Sequence, residues 1–162
     1  LTGAGPLRIC SRIPHIIIRI TLPEHPMVRS FIAIAAGFVL TGALNVGTNL
    51  LLSRAAPDLI PPPGTPVTNP AALVMVCAYV AVYGILGCYV TGRLAPSRPM
   101  LHALVMGALA LAMSIPMTIG AWNDAPAWFN VYNLLAVMPY AWIGGRLAER
   151  GGAAQPRVAA AS

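Results

Sequence analysis

Four apolar runs that hold no charged residue, separated by short joints that carry arginines, constrain this chain more than any other feature. The runs cover residues 31–52, 71–91, 100–120 and 127–145. Each is close to the ~20 residues a helix needs to cross the hydrocarbon core of a bilayer. In lipid the backbone must satisfy its own hydrogen bonds, so an isolated apolar run of this length becomes a helix. The expectation is an all-α protein, a bundle of four transmembrane helices, for which two tandem helical hairpins are one possible origin. Composition agrees: 57% of residues are hydrophobic and only 9% are charged, where a soluble domain has about a quarter charged.

The net charge of +6 has a topological reading. All the basic residues are arginine, and they flank the apolar runs without forming a basic amphipathic segment, so no nucleic-acid partner is expected. Arg29 precedes the first run, together with Arg8, Arg12 and Arg19. Arg93 and Arg98 fill the second joint, and Arg146, Arg150 and Arg157 follow the fourth run. The first joint has only Arg54, and the third has Asp124 with no basic residue. Basic residues are retained on the cytoplasmic side. Both termini and the 93–99 joint are therefore expected inside, with Arg29, Arg93, Arg98 and Arg146 as cytoplasmic anchors and the segments around Asp58 and Asp124 outside. Aromatic residues gather near both expected boundaries: Trp122, Trp128, Phe129 and Tyr132 at the outer one, Phe31, Tyr89, Tyr140 and Trp142 at the inner one. Such rings favour the headgroup layer. Arginine without lysine, beside abundant alanine, reads as the codon usage of a GC-rich bacterium, hence a multi-pass protein of the bacterial inner (cytoplasmic) membrane.

The ends differ from the centre. Residues 1–26 contain four prolines and no spanning run, and are expected to be either a disordered basic tail or an extension upstream of a natural start at Met27. Residues 27–150 form the membrane domain, and 151–162 are expected to be a disordered tail. Arg29, the apolar stretch to Leu40 and Thr41-Gly42-Ala43 also fit a cleavable signal peptide, although the apolar run continues to Leu52, longer than a usual h-region. The proline-rich segment 58–70 is expected to be an extended connector.

The second and fourth runs end alike, Gly92-Arg93-Leu94-Ala95 and Gly145-Arg146-Leu147-Ala148, and Tyr79 aligns with Tyr132 at the same offset. This fits either a duplicated hairpin with an axis along the membrane normal or convergent helix-end chemistry.

The first run carries the most polar stripe, Thr41, Asn45, Thr48 and Asn49, which spacings of three and four place on neighbouring parts of one helix face. An amide in hydrocarbon needs a partner. Tyr83 in the second run and Asn133 in the fourth are the expected ones, and the six residues together form the candidate polar intramembrane face. Such residues either fix helix packing or line a path for a small neutral solute. Glycines and small residues in the second and third runs permit close backbone approach, and Pro116 and Pro139 are expected to kink the third and fourth. No central part of a run holds Asp, Glu, Lys or Arg, which proton relays and ion-coupled pumps use. Cys10, Cys77 and Cys88 have no metal-ligand spacing, and Cys77 and Cys88 are too far apart along one helix to bridge. His102 reads as an interfacial residue. Ser53, Ser97 and Ser114 have no adjacent base. No catalytic residue, metal or cofactor is expected.

At residues 92–104, from Gly92-Arg93-Leu94-Ala95 to His102-Ala103-Leu104, and again at Ala141-Trp142-Ile143-Gly144-Gly145-Arg146-Leu147, the chain resembles a group of small bacterial four-helix integral membrane proteins without an assigned activity. The resemblance covers about Arg29 to Arg150 and implies the fold alone. The expected function is a structural or accessory membrane protein acting through helix–helix association. The alternative is a small neutral-solute transporter or channel subunit. Expected partners are the lipid bilayer and a second copy or another membrane protein.

Overall fold

Proline opens three of the helices, where its fixed φ suits the first turn and its missing N–H leaves no orphan donor. The computed structural model describes residues 26–57 and 65–153. Among them the helices are α1 (Pro26–Ala55), α2 (Pro70–Leu94), α3 (Pro99–Gly120) and α4 (Ala127–Ala153), with a 3-10 turn at Trp122–Asp124. Asn69 caps α2, its side-chain oxygen accepting from the Ala71 N–H at 3.0 Å. Arg98, with φ 45°, takes the left-handed conformation that turns the chain from α2 into α3. That conformation costs a non-glycine residue about 1 kcal/mol. It also aims the Arg98 carbonyl at the N–H groups of Leu101 and His102, at 3.0 and 3.4 Å.

The helices alternate in direction. α1 and α2 are antiparallel, with Gly37 beside Gly87 and Asn49 bonded to Tyr79. α3 and α4 are antiparallel too, Gly107 facing Ala141 and Gly145 facing Ala103. α2 and α4 run parallel: Gly84 meets Tyr140, Cys88 meets Gly144 and Gly92 meets Ala148. α2 packs against all three other helices. The buried positions are mostly small, among them Ala33, Ala72, Ala103, Ala141 and Ala148, while large apolar side chains such as Phe31 and Leu135 point outward, 76% and 71% exposed. This inside-out arrangement suits lipid, where burying large apolar groups gains nothing and close approach of backbones gains dispersion.

Helices α1, α2 and α3 are long and apolar enough to cross a membrane, and the protein is an all-α, multi-pass membrane protein with a four-helix bundle. The fourth run, 127–145, is uncharged but less apolar, because Asn130, Asn133 and several indole and phenol rings interrupt it. Helix α4 continues past Gly145 to Ala153, three residues into the stretch expected to be a tail: its backbone bonds carry on where the apolar run stops. Both Pro116 and Pro139 lie inside continuous helices. The expectations for residues 1–25 and the natural start, for Asp58 and most of its proline run, and for the chain beyond Ala153 fall outside the described residues.

The repeat meets itself out of register. Its copies align at an offset of 53 (Gly92 with Gly145, Tyr79 with Tyr132), yet the contacting pairs Gly84–Tyr140, Cys88–Gly144 and Gly92–Ala148 are each 56 apart. Equivalent positions of α2 and α4 therefore pass with a three-residue stagger, and their contact is not self-complementary.

Candidate functional site

The polar stripe of α1 faces α2. Thr41 Oγ1 donates to the Gly37 carbonyl at 2.9 Å and lies 3.3 Å from the Tyr83 carbonyl. Thr48 and Tyr83 share a hydroxyl–hydroxyl bond of 2.9 Å. One turn further, the Tyr79 hydroxyl donates to Asn49 Oδ1 at 2.8 Å, and the Tyr79 and Tyr83 rings lie 5.7 Å apart. The structure thus brings Thr41, Thr48, Asn49 and Tyr83 together in a ladder along one helix pair. Tyr79 belongs to that ladder and was not among the expected residues; its signal was the four-residue spacing from Tyr83, one turn on the same face.

Asn133 is a correction. It is not a partner of the α1 stripe: its Nδ2 donates to Phe129 O of its own helix at 2.9 Å. Asn45 does the same, donating to Thr41 O at 2.8 Å. The two amides instead line a common cavity of about 390 Å³ to which all four helices contribute. Its walls are mainly apolar, with the thioethers of Met106, Met113 and Met117 from α3, and with Thr41, Ser114 and Tyr140 as further polar groups. The cavity exists because α1 is held to α3 at one end only. Ser30 bonds His102, and Gly37 approaches Met106; further along α1, a Cβ at Gly42 or Gly47 would meet nothing within 4 Å. At the Gly37 level Thr91, fully buried, fills the space beside that glycine and donates to Met106 Sδ at 3.0 Å.

The four arginine anchors share one end of the bundle and all are exposed. There the Arg146 guanidinium lies 5.3 Å from the Trp142 ring centre, a cation–π contact. The starts of α1 and α3 are tied by His102, whose Nε2 is 2.9 Å from Ser30 Oγ and whose Nδ1 is 3.2 Å from the Arg98 carbonyl. A hydroxyl, an imidazole and an orienting acceptor in series are the parts of an activated nucleophile, a pairing the sequence reading did not make. Neither Ser30 nor His102 lines the cavity, and the contact joins two helix starts. At the opposite end the Val67 N–H donates to Asp124 O at 2.8 Å, and the buried Asn130 amide holds the Trp122 carbonyl at 3.0 Å. Among the described residues no three His, Cys, Asp or Glu side chains come together as metal ligands.

Fold and site define the class: an all-α multi-pass membrane protein with a ladder of hydrogen bonds between α1 and α2 beside a bundle of close-packed small residues. No family model matches the chain, and no curated protein or solved structure matches it.

Proposed function

We propose that this protein is a structural or accessory component of a bacterial cytoplasmic membrane, with both termini inside, acting through association of helices with a second copy or another membrane protein and catalysing no reaction. The observation that carries this reading is the fate of the α1 stripe: Thr48 and Asn49 are engaged with Tyr83 and Tyr79 of α2, so their polarity is spent on holding helices and not on wetting a path. The gathering of Arg29, Arg93, Arg98 and Arg146 at one end supports the orientation. The second reading, passage of a small neutral solute, draws on one observation, the cavity that reaches Asn45.

Two measurements test the proposal. Single cysteines replacing Arg54 and Arg98, in a chain with its native cysteines changed to serine, are probed in whole cells with a membrane-impermeant maleimide. Labelling at 54 and protection at 98 is expected; the reverse overturns the orientation. For the function, Asn45→Leu and Asn49→Leu are introduced together, and self-association is followed by energy transfer between tagged copies alongside uptake of small neutral solutes. Association that persists, with no uptake in either protein, supports an accessory role. Uptake by the wild type that the double variant loses while still assembled supports the transporter instead.

A further inference from the structure

The polar groups around the cavity are unbalanced between donors and acceptors. Asn45 Nδ2 is committed to the Thr41 carbonyl and Asn133 Nδ2 to the Phe129 carbonyl. The hydroxyls of Thr41 and Ser114 are likewise committed, to the Gly37 and Ala110 carbonyls at 2.9 and 2.7 Å, and that of Tyr140 is shared with the Tyr132 hydroxyl at 2.9 Å. A carbonyl oxygen can only accept, so in both amides the NH₂ must point back along the helix and the amide oxygen is left over. Neither Oδ1 has a donor among the described residues, whereas Asn49, which does not line the cavity, has its Oδ1 satisfied by Tyr79. Both oxygens are open to the cavity, since among the described residues no buried side-chain nitrogen or oxygen lacks a partner. The cavity therefore offers free acceptors to a hydrogen-bond donor arriving from outside.

The remaining walls describe the rest of that molecule. The lining holds no charged residue, which excludes an ion that would have to shed its hydration without compensation. Three methionines supply a soft, adaptable apolar surface of the sort found in sites that accept varied hydrocarbon shapes. The volume, about 390 Å³, is near the lower end of the range of roughly 300–1,000 Å³ for small-molecule sites. It is too small for a whole phospholipid and ample for a short-chain lipophile.

We propose that the cavity among the four helices binds a small uncharged lipophile carrying a hydroxyl, whose single O–H donates to the amide oxygen of Asn45 or of Asn133 while its hydrocarbon part packs on Met106, Met113 and Met117. The ligand enters from the bilayer, between α1 and α3, where Gly42 leaves the wall open. This site stands whether or not the protein self-associates.

The test uses the full chain in phosphatidylcholine–phosphatidylglycerol nanodiscs and a diazirine-bearing octanol as the probe, with adducts located by mass spectrometry. Expected are saturable adducts on Met106, the one buried methionine of the lining, competed by plain 1-octanol, and at least fivefold fewer with the methyl ether of the same probe, which cannot donate. Gly42→Leu fills the cavity without meeting a neighbouring atom at its Cβ and reduces labelling at least fivefold. Gly47→Leu, equally unobstructed but outside the lining, leaves labelling unchanged. Asn45→Ala with Asn133→Ala abolishes the preference for alcohol over ether. Equal labelling by alcohol and ether in the wild type overturns the proposal without any variant being needed. Adducts spread over lipid-facing residues such as Val39 and Leu135, or no saturable adduct with either probe because water fills the space, overturn it too.

Discussion

Helix α2 is held to α1 and to α4 by different means. Against α4 it presents Gly84, Cys88 and Gly92, one per turn, to Tyr140, Gly144 and Ala148. A Cβ added at Gly144 would stand 2.7 Å from Ile85 O and 2.9 Å from Tyr89 N, so the two backbones are as close as side chains allow. Against α1, comparable closeness exists only near the basic end, where a Cβ at Gly37 would lie 2.6 Å from the Gly87 carbonyl. Beyond that level contact passes to long side chains, through the Thr48–Tyr83 and Asn49–Tyr79 bonds. In lipid both solutions are available because the hydrophobic effect between helices is absent, leaving packing and hydrogen bonds to hold them. The first leaves no space. The second keeps two helices apart at the length of a tyrosine, and an opening beside them follows.

The sharpest way to break this comparison is Gly144→Val. Its added methyl groups would meet backbone on α2, which cannot yield as a flexible side chain does, and overpacking of this sort costs about 3 kcal/mol. Loss of the folded bundle in a thermal melt is the expected result; a melting temperature within a degree or two of wild type would show that the α2–α4 seam is not close-packed. Tyr83→Phe removes a single cross-helix bond and should destabilise by about 1 kcal/mol, with α1 alone gaining hydrogen exchange. Exchange rising equally in α4 would contradict the division into two kinds of interface. Smallest is the effect expected of Gly47→Ala: nothing lies near the new methyl group, so helix propensity alone should stabilise by about 0.5–1 kcal/mol. Destabilisation there would mean that α1 has a close neighbour at Gly47.

What was legible in the sequence follows from the scale of each signal. The run 100–120 and the helix Pro99–Gly120 nearly coincide, because Pro99 marks the start and the charge-free stretch marks the length. Partnering was legible in part. Tyr83 was expected opposite the α1 stripe and is there, since an amide- and hydroxyl-bearing face must turn toward a neighbouring helix that can bond it. Asn133 had the same chemistry and equal standing by spacing, yet its amide closes on its own helix. Nothing in one sequence separates a back-bonded asparagine from one that reaches across. Tyr79 was passed over for a related reason: its four-residue spacing from Tyr83 was available, but its hydroxyl gains a role only because Asn49 lies opposite in this particular antiparallel register.

By itself the sequence determined that the chain is helical, that it lives in lipid, and which residues in its apolar runs are polar, because those properties depend on the composition of continuous segments and on the cost of an unpaired backbone in hydrocarbon. It also placed the arginines at alternate joints, and helices of alternating direction bring these to one end. Only the tertiary structure decided that α2 and α4 run side by side with a three-residue stagger, that His102 reaches Ser30, and that Asn45 and Asn133 share a cavity without touching. Those facts depend on which helix faces meet and at what height, and they turn on a few atoms at Gly37, Gly144 and Thr91. In a membrane, where every outward face is apolar, the hydrophobic pattern says little about which faces those are.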